Sequence, residues 1–430
     1  MTWQWKGIIE GFYGPPWTEA ARRTLIQFAG SQGFNTYLYG PKDDPGFRRQ
    51  WREPFSEVAL QYWRSLMDEA RPWGIEMGFA LSPGLDLRMG DIDDQQALLA
   101  KFLGWHHLGV RCFALLWDDI PIAVGPEDRD GQYRVGVAQA EVTNAVYARL
   151  QDLGDPLTFW FCPTEYWGIS DSPYRMALKE TLDSEIAIFW TGPNICSLSI
   201  SSEMVARFAE EVGHRVVIWD NYPVNDAEMT QELHLGPLDR RDPALSEVVE
   251  GYFTNPMDRV EASCLPLRTV AQYLADPYGY EAEAAWNRAL QVYDPPVREV
   301  LRQVGWATRE SCCGQGGPLQ QALEQAWWAG ERTLPSEVMR EVAAWGELAW
   351  TALPPRLAEE LRPWTTVMRL QAAWAKAWME RNEGAMHQAY TAGQGRSARV
   401  LGGMMKRWQA KMVGVQGRGR AEACPRSIPH

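Results

Sequence analysis

The stretch CFALLWDD, residues 112–119, decides the fold. Six apolar residues precede the paired carboxylates Asp118 and Asp119, and the turn residues Pro121 and Gly125 follow. A short apolar run bounded by turn residues is typical of a buried strand in a parallel sheet. Neighbouring side chains of a strand point to opposite faces, so both carboxylates can reach one pocket only where the strand breaks into a loop. Like charges this close resist double ionisation, which predicts an acid beside a carboxylate.

The same pattern recurs along the first two thirds of the chain. The predicted strands are residues 7–10, 34–39, 76–81, 112–117, 157–161, 186–190, 215–219 and 251–253. Helix-like segments lie between them, two of them with credible N-caps at Thr18 and Ser56. Eight strands, each followed by a helix, predict an α/β fold with a closed (β/α)8 TIM barrel over residues 1–276. The seventh unit has the weakest helix.

Beyond residue 280 the strand signals end. Ala, Glu, Leu, Arg and Trp recur at helical spacing, with breaks at Pro295, Pro318 and Pro355. This predicts an all-α helical bundle over 280–413, followed by a flexible tail over 414–430. The Trp and Leu stripes indicate core or dimer contacts, and exposed aromatics such as Trp374 and Trp378 would suit a homodimer through this domain.

Composition narrows the classes of partner. The net charge is −13, with basic residues scattered, which disfavours nucleic acid. No apolar stretch is long enough to cross a bilayer, and the N-terminus lacks the pattern of a signal peptide, so we expect a cytoplasmic protein without a membrane partner. The seven cysteines have no paired C-x-x-C spacing, and His106 and His107, adjacent in a predicted helix end, would diverge rather than chelate one metal, so we expect reduced core cysteines and no metal site.

Polar residues follow most of the predicted strands. Barrel enzymes carry their catalytic groups at these strand ends. The residues at these ends include Glu10, Gly11, Lys42, Asp43, Asp44, Asp118, Asp119, Thr164, Glu165, Tyr166, Thr191, Asp220, Asn221, Asp226, Thr254 and Asn255. Hydroxyl, amide and carboxylate groups around one lysine suit a neutral polyhydroxylated ligand, such as a sugar.

Several spaced motifs carry a resemblance to a known family. They are GIIEGFYGPPW (7–17), NTY (35–37), PKDDP (41–45), WREP (51–54), LSPG (81–84), FALLWDDI (113–120), FCPTEY (161–166), WTGP (190–193), WDN (219–221) and TNP (254–256). In this order they resemble the catalytic domain of glycoside hydrolase family 84, which contains the O-GlcNAcases. The resemblance covers residues 6 to 275.

The resemblance implies retaining exo-hydrolysis of terminal β-linked GlcNAc, in which the acetamido oxygen of the sugar attacks the anomeric carbon and forms an oxazoline. The usual retaining mechanism with two enzyme carboxylates then does not apply, because the enzyme supplies no nucleophile. Asp118 would accept a hydrogen bond from the acetamido N–H, and Asp119 would act as acid and then base. No cofactor is implied, and the expected partner is a GlcNAc-bearing glycoconjugate.

The same resemblance assigns the substrate-binding residues. Tyr166 would bind the acetamido group, Trp219 would wall the pocket around its methyl, and Asn221 would support that end. The ring hydroxyls would be held by the Gly11 backbone together with Lys42, Asp226 and Asn255.

Other interpretations remain open. An isolated Asp-Asp pair is usually a solvated turn or helix cap, with a catalytic prior of roughly one in ten. A chitinase-like barrel would need an Asp-x-Asp-x-Glu pattern at strand four, which this sequence lacks. A catalytically silent glycan-binding module on the same barrel is the main alternative. A divalent-metal enzyme using Asp118, Asp119 and Asp226 is a third, which insensitivity to chelators would eliminate.

Overall fold

The computed structural model describes residues 3–120, 124–125, 127–311, 318–329 and 334–412. The chain divides into two compact units. The first comprises Met1–Tyr222, Arg240–Val260 and Val270–Tyr280, and the second comprises Pro223–Asp239, Glu261–Thr269 and Glu281–His430. The second unit therefore takes in two segments from the region predicted as barrel. The tail predicted at 414–430 lies outside the described residues.

The first unit contains a closed barrel of eight parallel strands, each paired with its neighbours in chain order. The strands are β1 (Trp5–Glu10), β2 (Thr36–Tyr39), β3 (Glu76–Leu81), β4 (Cys112–Leu116), β5 (Thr158–Cys162), β6 (Ala187–Trp190), β7 (Val216–Asp220) and β8 (Gly251–Thr254). β1 pairs with β8, with Gly7 opposite Phe253, which closes the barrel. The TIM barrel prediction is confirmed, and every predicted strand end lies within two residues of the observed one.

Helices connect the strands on the outside, as expected for parallel crossovers. They are α1 (Glu19–Ser31), α2 (Glu57–Ala70), α3 (Ile92–Leu108), α4 (Arg129–Gln151), α5 (Pro173–Thr181), α6 (Ser202–Val212), α7 (Leu245–Val248) and α8 (Val260–Ala275). Both predicted N-caps are confirmed, since Thr18 accepts from the Ala21 N–H and Ser56 from the Ala59 N–H. The seventh of these helices is the shortest, as its sequence indicated.

Large aromatic side chains fill the barrel interior. Trp160, Phe189 and Phe253 belong to one buried cluster, and their rings lie 5.1–5.9 Å apart. Phe253 has room because its neighbour across the sheet is Gly7, where a Cβ atom would lie 2.2 Å from the Phe253 ring. The barrel floor is therefore solid, and ligands can bind only above it, at the carboxyl ends of the strands.

The second unit is helical. After the part of α8 that it shares, its helices are α9 (Ala282–Leu290), α10 (Pro295–Ala307), α11 (Pro318–Trp328), α12 (Ser336–Ala344), α13 (Pro355–Met379), α14 (Glu383–Gly393) and α15 (Met404–Met412). The predicted proline breaks are helix starts, because proline fits the first turn, where its missing N–H needs no partner. Trp374 is fully buried, so the expectation that it is exposed for dimerisation was wrong; Trp378 is half-buried.

The cysteine and membrane expectations can be compared with the described residues. Cys112 and Cys162 are buried and free, Cys264 is buried, and Cys196 is half-buried. Cys312, Cys313 and Cys424 lie outside the described residues. Within the part of the chain that the structure describes, none of the helices combines the length and apolar character that a bilayer crossing requires.

The surroundings of Glu310, in the second unit, disfavour a charged carboxylate. Burial, and after it the charge of Glu324, raises the pKa of Glu310 above its ordinary value of 4.5, although Arg399 and Arg407 act in the opposite direction. Its Oε2 atom is buried and lacks a hydrogen-bond partner among the described residues. The folded state therefore favours the protonated form.

This makes stability depend on pH in a defined direction. The protonated Glu310 contributes stability below about pH 4.5 that is lost as the pH rises through the raised pKa. We expect Glu310→Gln to raise the melting temperature at pH 7 by about 2 °C, with the gain disappearing towards pH 4. Glu299→Gln is the control, because hydrogen bonds from Arg302 and Gln303 lower the pKa of Glu299 against the effect of burial. A gain for Glu310→Gln that persists at pH 4 would contradict this explanation.

Candidate active site

Asp118 continues the inward-facing side of β4. Cys112, Ala114 and Leu116 belong to the cluster that fills the barrel, whereas the indole Nε1 of Trp117 lies 3.5 Å from Thr143 Oγ1 on α4. Because strand side chains alternate, Asp118 points to the same side as Leu116. Asp118 is 4% exposed, so the barrel holds a carboxylate at the top of its core.

The two oxygens of Asp118 differ. Oδ2 accepts a hydrogen bond from the Lys42 ammonium, which is itself buried. Oδ1 is buried and has no hydrogen-bond partner among the described residues. A buried acceptor without a donor costs about 1–3 kcal/mol. The lysine thus compensates the charge, while Oδ1 remains available to an N–H or O–H group of a ligand.

Asp119 breaks the alternation of the strand. Its φ of +52° lies in the left-handed region, which aspartate tolerates better than most residues. The turn directs the Asp119 carboxylate into the site above the barrel instead of outward to the helices. There Oδ1 accepts from Tyr166 Oη at 2.7 Å and Oδ2 accepts from Tyr13 Oη at 2.9 Å. Asp119 is exposed, so solvent or a leaving group can reach it.

The two tyrosines act as hydrogen-bond donors to Asp119. Burial, and after it the charge of Asp119, raises the pKa of both Tyr13 and Tyr166 well above the ordinary value. Both hydroxyls therefore keep their protons at neutral pH. Arg48, on the loop after β2, donates to Tyr13 Oη at 2.8 Å and to the Asp119 carbonyl oxygen at 2.7 Å.

An amide network joins the ends of β1, β7 and β8. Asn221 Oδ1 accepts from Trp219 Nε1 at 2.9 Å and from Asn255 Nδ2 at 3.0 Å. Asn255 Oδ1 in turn accepts from the Gly11 N–H at 3.3 Å. The Lys42 ammonium lies 5.4 Å from the centre of the Trp219 ring. Trp219 therefore connects this network to the Lys42–Asp118 pair, so both belong to one site.

The chain matches a family model described as beta-N-acetylglucosaminidase over residues 6–304, which include the site and all eight strands except Trp5, the first residue of β1. The chain belongs to glycoside hydrolase family 84. Protein O-GlcNAcase from Rattus norvegicus and the same protein from Mus musculus are each 37% identical to it over 273 residues, 62% of this chain. That match covers 29% of either relative, so the chain spans less than a third of their length.

A solved structure extends the similarity to the helical part. A mutant of the Thermobaculum terrenum O-GlcNAc hydrolase superimposes with a TM-score of 0.84 at 28% identity, covering 96% of this chain and 94% of that one. Family 84 is a family of glycoside hydrolases.

The structure brings together most of the residues predicted for this family 84 site. Asp118, Lys42 and Trp219 lie close to one another, Tyr166 contacts Asp119, and Gly11, Asn221 and Asn255 form the amide network. Asp226 is assigned to the second unit, where it precedes a short 3-10 helix, Ala227–Met229. Its role towards the sugar, like the other residue roles, stays a prediction.

Sequence reasoning missed three features of the site. It did not anticipate that Lys42 pairs with Asp118, that Tyr13 contacts Asp119, or that Arg48 contacts both Tyr13 and Asp119. Tyr13 lies within the first family motif, which was a usable signal. Arg48 stands in a loop with another arginine beside it, and nothing in the sequence separates it from Arg49.

Asn255 allows a test of the binding role of the network. We expect Asn255→Ala to raise KM for a GlcNAc substrate by about 10-fold, the value of one hydrogen bond, and to leave kcat within about threefold. The matched control is Asn35→Ala, because Asn35 also accepts from a backbone N–H, that of Lys6, but it lies before β2 and therefore at the opposite end of the barrel. Steady-state kinetics of both variants decide the point, and an unchanged KM in Asn255→Ala would contradict the role.

Proposed function

We propose that this protein is a retaining exo-β-N-acetylglucosaminidase that uses the acetamido group of its substrate as the nucleophile. The observation that carries the proposal is the buried Oδ1 of Asp118, unpartnered among the described residues, beside an Oδ2 held by Lys42. A carboxylate fixed by one cation, with one oxygen left free, is suited to accept an N–H. In the substrate that donor is the acetamido N–H.

The proposed first step forms one bond and breaks one. The acetamido oxygen attacks the anomeric carbon, the glycosidic C–O bond breaks, and Asp119 gives its proton to the departing oxygen. Positive charge develops on the acetamido group as the oxazoline forms, and the carboxylate of Asp118 stabilises it. Because that acceptor is positioned before reaction, little reorganisation accompanies the step.

In the second step the oxazoline is hydrolysed. Water attacks the anomeric carbon from the face that the leaving group vacated, and Asp119 takes the proton of the water. The acetamido group re-forms as the ring opens, so two inversions give net retention. The exposure of Asp119 lets both a leaving group and a water molecule reach its carboxyl group, which supports both roles.

The remaining site residues are proposed to hold the sugar. Tyr166 would hydrogen-bond the acetamido group, Trp219 and Asn221 would form the acetamido end of the pocket, and Gly11, Asn255 and Lys42 would bind ring hydroxyls. Such contacts place the acetamido oxygen near the anomeric carbon, which is where much of the rate should originate. Trp219 is 4% exposed and anchored through Nε1, which supports a rigid wall.

For the substrate class, we propose GlcNAc linked to protein hydroxyl groups. The support is the name of the relatives, Protein O-GlcNAcase, together with the match of 37% identity over the barrel. Because the chain spans only part of those relatives, the two parts of this proposal have different support. That the sugar is GlcNAc rests on the site, and that the sugar is linked to protein rests on the comparison alone.

The first experiment compares an aryl N-acetyl-β-glucosaminide with the matching aryl β-glucoside, which lacks the acetamido group. Cleavage of the first alone supports the neighbouring-group mechanism, and NMR should show the β-anomer of GlcNAc as the initial product. Equal cleavage of both would indicate an enzyme nucleophile. Cleavage of neither, with retained binding of GlcNAc, would favour the silent glycan-binding module.

A further inference from the structure

Arg48 is a buried cation that makes no hydrogen bond to a carboxylate among the described residues. It is 5% exposed, and its two terminal nitrogens donate to neutral acceptors, Tyr13 Oη and the carbonyl oxygen of Asp119. Buried arginines elsewhere in the barrel bond to carboxylates, as Arg22 does to Glu10 and Arg241 to Asp220. Burying a charge costs several kcal/mol unless it is compensated. The position of Arg48 therefore calls for an explanation beyond local packing.

The charges near Arg48 are those of the catalytic pair. Burial acts to lower the pKa of Arg48, but the Tyr13 hydroxyl and the charges of Asp118 and Asp119 more than offset this and raise it. The charges of the two aspartates therefore stabilise the guanidinium, while its hydrogen bonds go to the Tyr13 hydroxyl and the Asp119 carbonyl oxygen. Arg48 is coupled to the site in charge as well as in geometry.

The first bond holds the backbone turn. A left-handed conformation is unfavourable at a residue other than glycine, and Asp119 adopts it with φ +52°. A hydrogen bond from a charged donor is stronger than one between neutral groups, so it can offset that strain. The bond from Arg48 ends on the carbonyl oxygen of the turned residue itself, so it acts where the strain lies.

The second bond orients a hydroxyl. Tyr13 Oη has one proton, and because Oη accepts from Arg48, its proton is left to point at Asp119 Oδ2. Hydrogen bonds in series also polarise one another, which makes Tyr13 a stronger donor. Arg48 therefore acts on Asp119 in two ways. It donates directly to the Asp119 carbonyl oxygen, and it orients the Tyr13 hydroxyl that donates to the Asp119 carboxylate.

We propose that Arg48 is a positioning residue, which fixes the turn and the carboxylate orientation of the acid/base Asp119 through the Asp119 carbonyl and the Tyr13 hydroxyl. The inference rests on the proposed function, since it needs Asp119 to be the acid. It assigns Arg48 no contact with substrate.

The test uses Arg48→Ala with Arg52→Ala as its matched control. Arg52 is on the same loop but bonds to Asp86 and Asp94, away from the two catalytic aspartates. Both variants are assayed on aryl N-acetyl-β-glucosaminides whose leaving groups range from good to poor. For Arg48→Ala we expect kcat/KM to fall by about 10²-fold with poor leaving groups and by no more than about threefold with activated ones, because only the former need a well-placed acid.

Two further measurements separate positioning from folding. Added guanidinium, well below denaturing concentrations, should restore part of the kcat of Arg48→Ala on poor leaving groups and none in Arg52→Ala. The double variant Arg48→Ala/Tyr13→Phe should lose less than the product of the single losses, since part of the effect of Arg48 passes through Tyr13.

The outcomes distinguish the two proposals. If the native chain cleaves no GlcNAc glycoside, the proposed function fails. If the native chain is active but Arg48→Ala loses rate equally across all leaving groups, without rescue, the positioning role is overturned. Should Arg48→Ala not fold, Arg48→Lys takes its place. Lysine keeps the charge but cannot make the same two hydrogen bonds at once. The same dependence of kcat/KM on the leaving group is therefore expected for Arg48→Lys, and the absence of that dependence would overturn the proposal.

Discussion

Replacing Asp118 with asparagine should slow hydrolysis of every β-N-acetylglucosaminide by about 10²–10³-fold, whatever the leaving group. This is the usual loss when one preorganised group that stabilises transition-state charge is removed. The asparagine keeps the shape of the side chain but loses the charge opposite the forming oxazoline. Because Asp118 assists formation of the nucleophile and not departure of the leaving group, good and poor leaving groups should suffer alike.

Stability must be separated from catalysis in that experiment. Asp118→Asn leaves the buried Lys42 without its partner, and breaking a buried ion pair typically costs about 3–5 kcal/mol. Asp220→Asn is the matched control. Asp220 is a buried aspartate at the end of β7 whose two oxygens both accept from Arg241, at 2.7 and 2.8 Å. Both variants should melt earlier, but only Asp118→Asn should lose kcat by the stated factor. A comparable loss of kcat per folded molecule in Asp220→Asn would remove the case for Asp118.

Replacing Asp119 with alanine should give the opposite pattern. With poor leaving groups, including a serine-linked sugar, kcat/KM should fall by about 10²–10⁴-fold, the usual contribution of a general acid. With an activated aryl group the first step needs little protonation, so the loss there should be small.

The stability of Asp119→Ala should change little. Asp119 is exposed and its carboxylate accepts from two tyrosine hydroxyls, so the substitution breaks no side-chain ion pair, and the buried Arg48 keeps the charge of Asp118 nearby. Alanine tolerates the left-handed turn less well than aspartate, and Asp119→Asn, which tolerates it better, is the control for that effect. Equal losses for good and poor leaving groups in both variants would contradict the acid assignment and leave Asp119 as a residue that only shapes the pocket.

Much of the barrel could be predicted because its signal is local. Each strand is a short apolar run, and each connection carries a cap or a turn residue, as Thr18 and Ser56 show. The carboxyl ends of parallel strands meet at one rim, so the residues after each run could be assigned to one site without knowing any distance. The paired aspartates were found in this way.

The failures have a different origin. Trp374 was expected to be exposed, yet it is fully buried. Helical periodicity shows that one face of a helix is apolar, but it does not show whether neighbouring segments cover that face. The pairing of Lys42 with Asp118 joins residues 76 positions apart, and the contact of Tyr13 with Asp119 joins residues 106 apart. No local pattern encodes such contacts.

By itself, the sequence determined the order of strands and helices, the barrel that follows from it, and the set of polar residues at its rim, because hydrophobic period and turn chemistry act over a few residues. Only the tertiary structure decided the orientation and the hydrogen-bond partners of each of those residues. It placed Asp118 inward with one oxygen free of partners among the described residues, turned Asp119 out of the strand with φ +52°, and brought Arg48 to that turn. These depend on side chains from separate loops meeting in a buried space, where an unmet hydrogen bond or charge has a large energetic cost.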